Sequence, residues 1–139
     1  MTTDTAIRRL ALLLLTAGVL TAMPAAAALR FQAAETAAGE AVLEIQANHL
    51  VTMTPLPFRL LINDPSGQPL AGAHVECALI MPSMRMPENR PKVTERDGAY
   101  GGEMILTCAM GDYRAVCVVE AAGGGHRALT FDIGRARLK

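Results

Sequence analysis

The chain has 139 residues, 51% hydrophobic but only 4% aromatic and 19% charged, and thirteen basic residues balance thirteen acidic ones. That balance leaves no positive field to gather phosphate backbones, which excludes nucleic acid as a partner. The length suits one modest core and excludes two domains.

The apolar surplus is concentrated at the N-terminus. Residues 10–28 carry no charge, follow Arg8 and Arg9, and close in the run Ala25-Ala26-Ala27-Ala28. A basic start, a Leu-rich middle and a small-residue end predict a secretory signal peptide over residues 1–28. Cleavage there would leave a periplasmic mature chain of 111 residues with a net charge near −1. A stretch of this length could instead be kept as an inner-membrane anchor, the only way the sequence offers to meet a bilayer. Pro24 and the alanines favour cleavage, because retained anchors usually keep large apolar residues through their last turns. No cysteine stands near the cleavage region, so a lipoprotein anchor is excluded.

Beyond this segment, short alternating or apolar runs recur, separated by Gly, Pro, Asn and Asp, and no stretch keeps a helical period. Residues 29–40 read as a flexible leader. Strands are predicted over residues 41–47, 58–63, 73–81, 92–96, 102–109, 113–121 and 127–133. Seven strands at this spacing predict an all-β, seven-stranded immunoglobulin-like sandwich over residues 41–139. Asn63-Asp64-Pro65-Ser66-Gly67 and Asp97-Gly98 are turn formers, and residues 121–126 make a glycine-rich loop. Alternation then assigns faces. Val75, Cys77, Leu79 and Met81 share an inward side, as do Met104, Leu106, Cys108 and Met110, and Tyr113, Ala115, Cys117 and Val119.

The run from Asp64 through Gly67, Pro69, Gly72 and His74 to Val75, then Met81-Pro82-Ser83-Met84-Arg85-Met86, Asp97-Gly98-Ala99-Tyr100 and Met110-Gly111-Asp112-Tyr113, resembles the YtkA-like and FixH-like family of small exported β-sandwich proteins. The resemblance covers about residues 58–133. It implies a periplasmic sandwich with a connection to copper. The FixH-like branch is linked to assembly of copper-containing oxidases and usually retains its N-terminal anchor, from which this sequence, read as cleaved, departs.

Methionine carries the sharpest chemical signal: six of the 111 residues after position 28 are Met, and three crowd into Met81, Met84 and Met86. Thioethers are soft, uncharged donors that select Cu(I) over Zn(II) or Mg(II). Pro82 and Pro87 push this segment out of the sheet and into a loop. In a seven-stranded sandwich, the loops after strands one, three and five share one end. Those loops bear His49 and Met53, then Met84 and Met86, then Met110, which makes these five the candidate Cu(I) ligands. Arg85 and Arg90 would oppose a cation there unless Glu88 offsets them. The competing expectation is that the methionines fill the core, where Met81, Met104 and Met110 have inward parity, or that Met84, Arg85 and Met86 meet a protein partner. His74 and His126 map to strand or loop positions near the other end, a second and weaker place for a metal.

Three cysteines in an oxidising compartment allow three single pairings, each leaving one thiol. Cys108 and Cys117 flank a short turn with the same inward parity and are the favoured pair; three buried thiols are the alternative. No nucleophile motif, zinc-protease motif or phosphate-binding glycine loop is present, so no enzyme is expected. The sequence thus points to an exported binding domain, handling periplasmic Cu(I) or assisting copper-oxidase assembly. The alternative is a metal-free interaction module that docks on a membrane or envelope complex.

Overall fold

The computed structural model describes residues 27–33 and 39–139. The signal segment, up to residue 26, lies outside the described residues. Eight strands form in chain order: β1 Leu29–Gln32, β2 Ala41–Ile45, β3 Leu56–Ile62, β4 His74–Ile80, β5 Thr94–Arg96, β6 Ala99–Met104, β7 Asp112–Glu120 and β8 His126–Arg135. They make two antiparallel sheets, a five-stranded one in the order β1-β2-β3-β6-β5 and a three-stranded one in the order β4-β7-β8. The described residues contain no helix. The seven predicted strands correspond to β2 through β8. The additional strand is β1, which pairs with β2 in the stretch expected as a leader.

The inner faces of both sheets share one core. Leu43, Ile45, Phe58, Leu60 and Ile62 of the larger sheet, and Val75, Leu79, Ala115, Val119, Leu129 and Phe131 of the smaller, are all buried in one cluster. Each large apolar side chain removed from water here contributes about 1.5–3 kcal/mol before its ordering cost. Period-2 alternation places them there: β3 and β7 bury every second residue along almost their whole length. Asp97 and Gly98 both have positive φ, 53° and 76°, and form the two-residue turn between β5 and β6. An Asp-Gly pair suits such a turn because its twist matches that of the flanking strands.

Two further ties fix the opposite end of the strands from the long loops. The Asp64 carboxylate accepts hydrogen bonds from the Ser66 N–H, the Ser66 hydroxyl and the Gln68 N–H at 2.9, 2.6 and 3.0 Å. These bonds, led by that of the Ser66 hydroxyl, hold its carboxyl below the usual aspartate range. Gly39, at φ 112°, fits against the turn so closely that a Cβ would stand 2.4 Å from the Asn63 carbonyl oxygen. The Arg127 guanidinium donates to the carbonyls of both Gly39 and Asn63, joining β8 to the larger sheet.

Two expectations change. The strand predicted over residues 102–109 is β6, Ala99–Met104, and the chain leaves the sheet afterwards. Inward parity therefore holds for Met104 and Leu106 and fails for Met110, which is 76% exposed. The disulfide is Cys77–Cys117, not Cys108–Cys117. Cys77 and Cys117 face each other across β4 and β7 with Cα atoms 4.1 Å apart. Cys108 lies past the end of β6 as a half-buried free thiol. Proximity in sequence misled here, because the short connection holding Cys108 crosses from one sheet to the other.

Peptide mapping without reduction should recover Cys77 linked to Cys117, with Cys108 as the thiol that alkylates; a Cys108–Cys117 peptide would contradict the register. The bridge closes a separation of 40 residues. Chain-entropy reasoning puts the cost of replacing both Cys77 and Cys117 by Ala at about 4 kcal/mol, measurable by denaturant unfolding.

Candidate functional site

The ends of β2, β4, β6 and β8 and the starts of β3 and β7 lie together, since each is joined to its neighbour by the antiparallel ladders. The three connecting loops and the C-terminal tail are interlocked at this end. The Thr52 N–H donates to the Arg137 carbonyl, the Arg137 N–H to the Leu50 carbonyl, and the Met53 N–H to the Leu106 carbonyl, at 2.8–2.9 Å. The Leu79 N–H donates to the Asn89 carbonyl at 2.7 Å, and the Asn89 side-chain amide to the Ile105 carbonyl at 2.6 Å. Asn89 thereby ties the 81–93 connection both to β4 and to the chain leaving β6.

Residues 105–111, the crossing between the sheets, are positioned by Tyr113. Its ring is buried while its hydroxyl oxygen accepts the N–H groups of Thr107 and Cys108 at 3.2 and 3.0 Å. Gly111 completes the crossing by close approach: a Cβ there would lie 2.8 Å from Met81 Sδ and 2.7 Å from Ser83 Oγ. The Cys108 sulfur accepts the Met110 N–H at 3.4 Å, which turns the Met110 side chain outward.

Within this frame the methionines separate into three groups. Met81 and Met104 are 3% and 2% exposed and fill the core. Met86 is half-buried against that core. Met53, Met84 and Met110 are 61%, 40% and 76% exposed. Packing accounts for Met81 and Met104 and in part for Met86, and gives no reason for Met53, Met84 and Met110. Met84 and Met86 line one open groove together with Met81, Arg85 and Glu88. Met110 lines the adjoining groove with Pro82 and Ser83. Met53 has φ 56°, a left-handed conformation uncommon for a residue with a side chain. His49 is exposed, and the Leu50 beside it is bound to the C-terminal tail. The structure thus brings Met84 and Met86 into one groove, sets Met110 beside it, and carries Met53 and His49 on a loop at the same end.

The charges there are unequal. Glu88 and Arg90 form an ion pair at 2.7 Å, both well exposed, which neutralises Arg90; such surface pairs are worth little for stability. Arg85 is exposed between the two thioethers. As the side chains stand, no three His, Cys, Asp or Glu groups converge to hold a metal among the described residues. The donors exposed or half-buried at this end are the thioethers of Met53, Met84, Met86 and Met110, the Cys108 thiol and the His49 imidazole. The sequence did not reveal Tyr113, Gly111 and Asn89 as the residues that build it. A tyrosine with inward parity was a usable signal, because a buried phenol needs a partner for its hydroxyl.

Comparison of the chain with protein families, with curated proteins and with solved structures gives no match.

Replacing Tyr113 by Phe leaves two backbone donors without their acceptor, at a cost of about 1–3 kcal/mol. Denaturant unfolding should show that loss, and the Cys108 thiol should react faster with a modifying reagent as the crossing loosens. Unchanged stability together with unchanged thiol reactivity would remove Tyr113 as the anchor.

Proposed function

We propose that this chain is an exported, non-enzymatic binding domain with an immunoglobulin-like sandwich fold, of the YtkA-like and FixH-like kind, that takes up periplasmic Cu(I) at its loop end. Met84 and Met86 supply the leading thioethers, and Met110, Met53 and His49 stand on neighbouring loops to complete the coordination. The observation that carries this reading is the exposure of Met53, Met84 and Met110 at one end while Met81 and Met104 are buried. Exposed thioethers have no packing role, and soft neutral donors favour Cu(I) over harder ions. They also need no deprotonation, so uptake would persist as pH falls.

Export is supported by the apolar segment over residues 10–28 and by the Cys77–Cys117 disulfide, which suits an oxidising compartment. No helix among the described residues is long and apolar enough to cross a membrane. Delivery of copper to an oxidase under assembly fits a domain whose metal is held by exposed groups. A second reading, a module docking on an envelope or membrane protein through Met84, Arg85 and Met86 without metal, is favoured by the exposed Arg85 between the two thioethers.

Replacing Met84 and Met86 together by Leu conserves volume, so the thermal transition should move little. Cu(I) retention against a competing chelator should be lost. Retention equal to the parent's would exclude this groove and turn attention to Cys108.

A further inference from the structure

The other end of the three-stranded sheet carries a second set of donors, of different chemistry. His74 opens β4, Glu120 closes β7 and His126 opens β8. The register pairs His74 with Glu120, and Glu120 with His126. Directly opposed residues project from the same face with Cβ atoms about 4.5–5.5 Å apart. The three therefore form one row across three adjacent strands. All three are exposed, as is Glu76, two residues along β4 on the same face.

We propose that this row is a binding site for a borderline divalent transition-metal ion, such as Zn(II) or Cu(II), with His74, Glu120 and His126 as its ligands. Imidazole and carboxylate are the donors such ions prefer, whereas thioethers are not. The site is thus independent of the Cu(I) reading and takes a different ion. Glu120 occupies the middle strand, and the imidazoles flank it from either side. As they stand the three side chains do not converge on a metal position, and His74 Nε2 lies 3.3 Å from Glu76 Oε1. Convergence requires only rotation of exposed side chains, because the strand ladder already fixes the spacing of their backbones. The Glu76 contact helps rather than hinders. A carboxylate accepting the Nε2–H leaves Nδ1 with its lone pair free, and metal-bound histidines are commonly oriented in this way.

Local charge suits a dication. Two carboxylates and two imidazoles share this part of the face. Arg127, next to His126, turns its guanidinium to the carbonyls of Gly39 and Asn63. Arg90 and Lys92 border the free edge of β4, and Arg90 is paired with Glu88.

The test is a titration of the full chain with Zn(II), followed by the imidazole proton signals of each histidine. The His74 and His126 rings should shift together and saturate at one equivalent, while His49 stays unchanged. Glu120→Gln should weaken binding on the order of tenfold, and Glu76→Gln should weaken it through the orientation of His74. Movement of one ring without the other, saturation of the two at different Zn(II) concentrations, or no movement up to millimolar Zn(II) would overturn the site.

Discussion

The loop end depends on one constraint: the chain must pass from β6 in the larger sheet to β7 in the smaller within residues 105–111. So short a crossing leaves little freedom. The Tyr113 hydroxyl holds two of its N–H groups, and Gly111 allows the backbone to press against Met81 and Ser83. Between these fixed points Cys108 and Ala109 stay half-buried, and Met110 stands outward by geometry rather than by polarity. Met110, an apolar residue, is exposed for this reason, and Cys108 stops short of the core it would have joined in a continuous strand.

The same crossing explains why the fold was largely legible in the sequence and the site less so. β4 pairs with β7 residue for residue from His74 to Ile80, so alternation placed Val75, Cys77 and Leu79, and Tyr113, Ala115, Cys117 and Val119, on the buried face. Parity can be counted only while the strand lasts. After Met104 the chain bends away, and the count that correctly buried Leu106 went wrong at Met110. Cysteine pairing failed for a related cause: nearness along the chain said nothing about which sheet each cysteine belonged to, whereas the Cys77–Cys117 register decides it. β1 escaped notice because it is four residues long and adds to the sheet only by pairing with β2.

Donor chemistry is distributed unevenly over the molecule. Thioethers and the free thiol gather where the three loops and the tail interlock, while two imidazoles and two carboxylates face outward where β4 and β8 begin. The soft set lies on the loops of one end. The harder set stands on a sheet whose strand spacing is fixed. The shared apolar core holds the two sheets together, and the disulfide staples β4 to β7 within the smaller one.

The most direct test is to label the methionine methyl groups with carbon-13 and follow their NMR signals as Cu(I) is added under reducing, oxygen-free conditions. The Met84 and Met86 methyls should shift together and saturate at one equivalent, with Met110 or Met53 responding as a further donor. Met81 and Met104, buried in the core, should keep their positions. Shifts confined to Met81 and Met104, or no methyl shift at one equivalent, would contradict the claim that the exposed thioethers of the loop end form a single Cu(I) site.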